Sequence, residues 1–151
     1  MAFQFRFKAL LQHRRHLLGK SQTALAAAIR RQQEVQAERE RMVEKLEEQH
    51  RMWDEKRSRG MSSAEYLSFG IFVSVLERHL LQIDAEIQRA IDDVEDARAD
   101  LIEREKDLKI IESIEERERE AHRAFISKRD QKRLDESAAV RNFHKGVRFQ
   151  E

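Results

Sequence analysis

Few residues of this chain have the types and spacing that catalysis or metal binding would need. His13 and His16 are three residues apart, so they would share one face of a helix and offer two ligands to a metal. No carboxylate lies near them in the sequence and the chain has no cysteine, so we expect a solvated face and no metal or cofactor. Glycine-rich phosphate loops, zinc-protease motifs and nucleophile elbows do not occur either. The sequence therefore predicts a protein that is not an enzyme.

Basic residues are concentrated at the two ends of the chain. Residues 1–33 contain seven Lys or Arg and no acid, and residues 121–151 contain eight Lys or Arg against four acids. Basic ends that include aromatic residues are also found in coiled-coil arms that bind RNA or DNA, so such an arm is one alternative function. Residues 34–120, however, carry a net charge of −10, which would repel a phosphate backbone. We therefore expect no nucleic-acid partner.

Two rows of apolar side chains with a seven-residue period run along residues 66–111. Their offset alternates between three and four residues, which is the a/d spacing of a coiled coil. The first row is Tyr66, Val73, Leu80, Ile87, Val94, Leu101 and Leu108, and the second is Phe69, Leu76, Ile83, Ala90, Ala97, Arg104 and Ile111. This stripe predicts a helix that packs along its length against one partner helix.

The composition predicts long helices with one interruption. The chain has no proline, four glycines and 39% charged residues, with a mean hydropathy of −0.80. The helical pattern breaks around Gly60, and Ser62 followed by Glu65 is a capping box that would start a new helix. We therefore expect one all-α domain over residues 1–151, with helix 1 over about 8–57 and a turn over 58–62. Helix 2 is expected over about 63–140, followed by a basic C-terminal tail to residue 151.

The first helix carries a weaker stripe that matches the second. Its main row is Leu11, Leu18, Leu25, Gln32, Arg39, Leu46 and Trp53. Folding the chain back at Gly60 places Trp53 opposite Tyr66 and Leu18 opposite Leu101, so one register brings the two stripes together. The sequence thus predicts a long antiparallel two-helix coiled coil formed within one chain, an α-helical hairpin that is a monomer.

The charge pattern gives an independent test of this hairpin. Residues 1–33 carry a net charge of +7, and their antiparallel neighbours, residues 88–120, carry −6. Opposite charges beside the seam of a coiled coil select the orientation of the partner helix. A generic homo-oligomeric coiled-coil scaffold is the other alternative, but parallel pairing would place the basic segment against itself.

Helix 2 is longer than helix 1, so its C-terminal part would project beyond its partner. The apolar positions become sparse in this part: Phe125, Ile126, Leu134, Val140, Phe143, Val147 and Phe149. A projecting basic helix with exposed aromatic residues is suited to contact a larger partner, and a solvated tail is the alternative interpretation.

One segment of this C-terminal part resembles a known signature. Residues 129–138 read RDQKRLDESA, in the pattern D-Q-K-[KR]-[LM]-D-E-x-A, which resembles the C-terminal signature of the FliJ family. That family is the soluble stalk component of the flagellar type III export apparatus. The N-terminal segment Phe3-Gln4-Phe5-Arg6-Phe7 and the stretch from Phe72 to Glu77 are also similar to the family.

The resemblance implies a fold, partners and a location. Members of the family form antiparallel two-helix coiled coils similar to the central stalk of rotary ATPases, and they have no catalytic residues. They bind in the pore of the hexameric export ATPase and contact the transmembrane export gate protein, and export chaperones are further possible partners. The resemblance thus implies a cytoplasmic protein at the cytoplasmic face of the flagellar basal body. Its partners would hold it at the inner membrane.

The resemblance also suggests which residues make these contacts. The ring-contact candidates, expected to bind the ATPase hexamer, are Arg6, Lys8, Arg14, Arg15, Gln131, Leu134, Asp135 and Glu136. The gate-contact candidates, expected to bind the export gate, are Leu46, Trp53, Phe72 and Leu76. Leu46 and Leu76 belong to the predicted seam, so Phe72, which lies off both rows, is the better surface candidate.

Overall fold

The structure, a computed structural model, describes residues 2–148. Two α-helices account for most of them: α1 spans Lys8–Arg59 and α2 spans Ser63–Arg148. The two helices pack against each other, and the described residues contain no strand. The predicted all-α helical hairpin is therefore confirmed.

The turn between the helices depends on a glycine and a serine. Gly60 follows the last residue of α1 and has a φ of 97°, a conformation that glycine adopts without strain and that commonly ends a helix. Lys56, Arg57 and Arg59 lie in the last turn of α1, where positive charge interacts favourably with the helix dipole. The backbone N–H of Glu65 donates to Ser62 Oγ at 3.2 Å, which caps the start of α2. The chain therefore reverses between Arg59, the last residue of α1, and Ser63, the first residue of α2.

Residues Leu17–Arg104 form one compact unit, which contains the turn and most of the seam, the row of side chains through which α1 and α2 pack. The buried apolar side chains of α2 all belong to the predicted rows, and one side chain of α1 is buried against them. They are Leu76, Ile83, Ala90 and Val94 on α2 and Val35 on α1. Tyr66 is the exception, because it belongs to a predicted row but is exposed. The seam thus follows the heptad pattern except in the first turn of α2.

One group of polar residues in this seam centres on Asp100. Ser21 is buried, and its hydroxyl donates a hydrogen bond to the carboxylate of Asp100 on α2. Arg104, the one charged residue in the predicted rows of α2, lies one turn further along that helix, with its Nε 3.6 Å from Asp100 Oδ1. Asp100 therefore supplies a partner for both groups, which explains how the apolar stripe tolerates a charge at this level.

Ion pairs flank the seam of the same unit. Arg39 Nε lies 2.5 Å from Asp84 Oδ1, and an Arg31 guanidinium nitrogen lies 3.4 Å from Glu86 Oε2. Both pairs join a cation of α1 to a carboxylate of α2. Each pair is partly exposed, so its contribution to stability is about 0.2–1 kcal/mol.

The second unit consists of residues 1–16 together with residues 105–151, of which residues 2–16 and 105–148 are described. Leu11 of α1 and Ile111 of α2 are its buried apolar side chains. Residues 131–147 of α2 are all exposed. The helix continues to Arg148 through the residues that the sequence assigned to a tail, because residues 141–145 contain neither proline nor glycine. Phe149, one of the predicted apolar positions, lies outside the described residues.

Candidate functional site

The N-terminal segment before α1 packs on α2. The ring of Phe3 lies 5.7 Å from the imidazole of His122, and the guanidinium of Arg119 lies 5.6 Å from the centre of the same phenyl ring. Phe3, Phe5 and Phe7 are half-buried, while Gln4 and Arg6 between them are exposed. The segment therefore continues the contact with α2 beyond the first residue of α1.

The four basic ring-contact candidates have different surroundings. Arg14 is half-buried and donates a hydrogen bond of 2.6 Å to the backbone carbonyl of Asp107. A guanidinium nitrogen of Arg6 lies 3.2 Å from Glu118 Oε1, and one of Arg15 lies 3.8 Å from Glu112 Oε1. Lys8 is exposed, and it forms no ion pair with any residue of the described part of the chain. Lys8 is thus the candidate whose charge is uncompensated.

A surface cavity of about 690 Å³ lies between the N-terminal segment and the helices that flank it. Three cationic side chains, Lys8, Arg15 and Arg119, line it together with the single carboxylate of Glu115. Arg119 pairs with Glu115 at 3.0 Å, so the remaining lining charge is positive. Such a cavity is suited to bind a carboxylate side chain of a partner protein.

The four ring-contact candidates of the C-terminal signature are all exposed. Gln131, Leu134 and Asp135 follow the i, i+3, i+4 spacing of one helix face, and the Leu134 side chain is 70% exposed. Glu136 lies on the other side of the helix, where its carboxylate is 4.0 Å from Lys132 Nζ. The signature therefore presents three of its four candidate residues on a common surface.

The structure does not bring the two groups of ring-contact candidates together. Arg6 contacts α2 at Glu118, which precedes Gln131 by thirteen residues. At a rise of 1.5 Å per residue this separation is about 20 Å along α2. A partner that binds both groups must therefore contact α2 over several turns.

The gate-contact candidates divide into seam and surface residues. Leu76 is only 6% exposed and Leu46 is half-buried, so both have packing roles in the seam. Trp53 is half-buried, and its indole stacks on the ring of Phe69. Phe72 is exposed, as expected for a residue outside both rows. Phe72, with the accessible part of Trp53, is thus the candidate pair that a partner can reach.

These two residues line a cavity beside the turn. Its volume is about 430 Å³, and most of its large lining side chains are apolar, among them Met52, Met61 and Phe69. Lys56 and Glu65 also line it. A cavity of this composition is suited to receive an apolar side chain of a partner.

Three features of the structure were missed by the sequence analysis. Leu67, Ile71 and Val75 are exposed on α2 outside both predicted rows, and the uncharged stretch from Tyr66 to Leu76 was the signal that could have revealed them. The contact of Phe3 with His122 and the hydrogen bond of Ser21 to Asp100 had no signal in the spacing.

The described residues contain neither a metal-binding cluster nor a helix that could cross a membrane. His13 and His16 are both exposed, and no group of three or more His, Cys, Asp or Glu residues within 2–148 is arranged to hold a metal ion. No helix in the same part of the chain has a stretch long and apolar enough to cross a membrane.

Comparison with known proteins identifies the family of this chain. The chain matches the FliJ family, described as flagellar FliJ protein, over residues 3–148, which is nearly its whole length. Neither the curated proteins nor the solved structures contain a significant match. The matched region includes both helices, the turn and the exposed signature after residue 129. The chain therefore belongs to the FliJ family, a component of the flagellar export apparatus.

Proposed function

We propose that this chain is the stalk of the flagellar type III export apparatus, which binds the export ATPase hexamer and links it to the transmembrane export gate. The observation that carries the proposal is the family match over residues 3–148, combined with the exposed signature face of Gln131, Leu134 and Asp135. On this proposal the chain acts by binding and has no catalytic role of its own.

The ATPase contact uses the signature face and the basic cavity of the N-terminal segment. Leu134 supplies the apolar anchor, since its side chain is exposed and the polar side chains of Gln131 and Asp135 lie beside it. Lys8 supplies an unpaired charge, and the cavity that it lines with Arg15 accepts a carboxylate of the ring. Arg6, Arg14, Arg15 and Glu136 contribute less directly, because each already has a partner within the chain.

A stalk affects the ATPase only through a difference in affinity. If the chain binds one arrangement of the ring subunits more tightly than another, it shifts the ring towards that arrangement by the difference in binding free energy. Couplings of this kind are typically about 1–3 kcal/mol. We therefore expect the chain to change the rate of ATP hydrolysis by the ring.

The gate contact uses the cavity beside the turn. Phe72 and Trp53 present aromatic surface there, and the cavity has room for a bulky apolar side chain. Leu46 and Leu76 support this surface from within the seam. Binding of the gate protein at this cavity would hold the chain at the cytoplasmic face of the basal body at the inner membrane, and export chaperones are possible further ligands.

Stimulation of the cognate export ATPase tests the ATPase contact. We expect the purified chain to co-elute with the ATPase and to raise its hydrolysis rate, and we expect Leu134→Glu to abolish both effects. Leu81→Glu is the matched control, because both leucine side chains are 70% exposed and only Leu134 belongs to the signature. The proposal would be refuted if the wild-type chain neither co-elutes with the ATPase nor stimulates it, while circular dichroism shows that the chain is folded.

Binding of the purified cytoplasmic domain of the gate protein tests the other contact. We expect Phe72→Ala to weaken this binding about tenfold, which corresponds to about 1.4 kcal/mol. Phe125→Ala is the control, since Phe125 is also an exposed phenylalanine of α2 but does not belong to the compact unit that contains the turn. Equal affinity of the Phe72→Ala variant and the wild type would show that the gate binds elsewhere.

A further inference from the structure

The last turns of α2 separate apolar side chains from basic ones. Val140, Phe143 and Val147 are three and four residues apart, so they lie on one side of the helix. Their side chains are 56%, 71% and 55% exposed. Arg141 and Lys145 are four residues apart, and helix geometry places both on the other side, where they are also exposed. We call residues 137–147 the terminal segment.

The charge of the terminal segment has a single sign. In the sequence, residues 137–150 contain three Lys or Arg and no acid, whereas residues 129–136 contain three basic and three acidic residues. The charges of that preceding stretch are close to one another, as Lys132 Nζ lies 4.0 Å from Glu136 Oε1. Arg141 and Lys145 form no ion pair with any described residue. Positive charge is therefore uncompensated in the helix after Glu136.

This arrangement is typical of helices that lie in the interfacial region of a membrane. Such a helix places its apolar side at the boundary between head groups and acyl chains, and it carries Lys and Arg on its polar side. The long aliphatic stems of Lys and Arg allow their charged ends to reach the lipid phosphates. Anionic lipids give the cytoplasmic leaflet a negative surface potential that attracts these cations. Both sides of the terminal segment thus contribute to binding in one orientation.

An acidic surface of another protein is the alternative partner, and the charge pattern favours the membrane. Protein interfaces select their partners by matching a pattern of charges of both signs, which residues 129–136 provide. The terminal segment provides only positive charge beside an apolar side. It is therefore complementary to a surface of uniform negative charge with an apolar interior, which an anionic bilayer supplies and a folded protein does not.

We propose that the terminal segment binds directly to the surface of an anionic membrane. Val140, Phe143 and Val147 enter the boundary between head groups and acyl chains, and Arg141 and Lys145 contact the lipid phosphates. This contact requires neither the ATPase nor the gate, so it stands apart from the two contacts proposed above. Because the apolar area is small and the cations are few, the binding is weak, reversible and sensitive to salt.

Co-sedimentation of the full chain with lipid vesicles tests the charge recognition. The wild type is expected to bind vesicles of phosphatidylcholine that contain phosphatidylglycerol, to bind pure phosphatidylcholine much less, and to be released by added salt. Reversing both cations, Arg141→Glu with Lys145→Glu, should weaken binding by at least about tenfold. Arg41→Glu with Lys45→Glu is the matched control, since these residues are also exposed, have the same spacing on α1 and change the net charge equally. The control should bind as the wild type does.

A fluorophore attached to a single thiol tests whether the apolar side enters the bilayer. The chain has no cysteine, so Phe143→Cys carries the label at one position only. An environment-sensitive fluorophore there is expected to shift to the blue on vesicles that contain phosphatidylglycerol. Ala138→Cys is the control, because Ala138 lies about 140° around the helix from Phe143, and its label should remain in water. Circular dichroism checks that each variant is folded.

Four outcomes would overturn the proposal. Absence of wild-type binding to vesicles with phosphatidylglycerol at low salt would show that the terminal segment does not recognise a membrane. Equal losses in the two charge-reversed variants would assign the binding to net charge and not to the segment. Equal spectral shifts at positions 143 and 138 would exclude the proposed orientation. Loss of ATPase binding in the Arg141→Glu, Lys145→Glu variant, with no vesicle binding by the wild type, would assign the segment to an acidic protein surface.

Discussion

The indole ring of Trp53 lies stacked on the phenyl ring of Phe69, with ring centroids 3.9 Å apart and planes inclined by 21°. Tyr66, one turn earlier on α2, approaches the same indole at 4.9 Å. Trp53 lies close to the end of α1, and the two other rings lie close to the start of α2. The three rings therefore join the helices beside the turn.

Replacing the indole should destabilise the hairpin. We expect Trp53→Ala to lower the free energy of unfolding by about 2 kcal/mol, because it removes both the buried apolar surface and the stacked pair. Trp53→Phe keeps an aromatic ring over Phe69 and should cost less than half as much. Urea unfolding followed by circular dichroism measures both values, and equal losses for the two variants would contradict a role for stacking.

The polar pair in the seam should also contribute measurably. Ser21→Ala removes the hydroxyl that donates to Asp100, and we expect it to lower the free energy of unfolding by about 1 kcal/mol. The effect of Asp100→Ala should be smaller in the Ser21→Ala background than in the wild type, because both substitutions remove the same hydrogen bond. A double-mutant cycle by urea unfolding measures this coupling, and strictly additive effects would show that the bond contributes nothing.

Substitution of two glycines by alanine should change the stability of the hairpin in opposite directions. Gly60→Ala should destabilise the hairpin by about 1–2 kcal/mol, since the φ of 97° is unfavourable for a residue with a Cβ. Gly70→Ala should stabilise it by about 1 kcal/mol, because Gly70 lies within α2 and an added Cβ meets no atom within 4 Å. Thermal unfolding of both variants tests this pair, and a stabilised Gly60→Ala variant would contradict the turn geometry.

The periodic and local features of the fold could be predicted from the sequence. The heptad rows identified Ile83 and Val94 as seam residues, because apolar spacing and burial are directly related in a coiled coil. Gly60 and Ser62 identified the turn, because the conformations that they favour are local properties of the chain. Tyr66 contacts Trp53 as the predicted register requires, but it remains 59% exposed because it lies at the end of the seam beside the turn.

The individual partners of polar side chains could not be predicted in the same way. Arg104 looked like a fault in the second row, and only the structure shows that Asp100 lies beside it and also accepts from Ser21. The bond from Arg14 to a backbone carbonyl likewise depends on the exact register of the helices and on one side-chain rotamer. Sequence spacing determines neither the register nor the rotamer. The basic ring-contact candidates therefore looked equivalent in the sequence, although their surroundings in the structure differ.

This difference predicts opposite phenotypes for two basic residues of the first helix. Arg14→Ala should lower the free energy of unfolding by about 1 kcal/mol, because the half-buried guanidinium donates to the carbonyl of Asp107. Lys8→Ala should change it by less than about 0.5 kcal/mol, since Lys8 is exposed and forms no ion pair within the described residues. Lys8→Ala should instead weaken binding to the export ATPase. Urea unfolding and co-elution with the ATPase, measured on both variants, separate a packing role from a binding role, and a destabilised Lys8→Ala variant with intact ATPase binding would reverse the assignment.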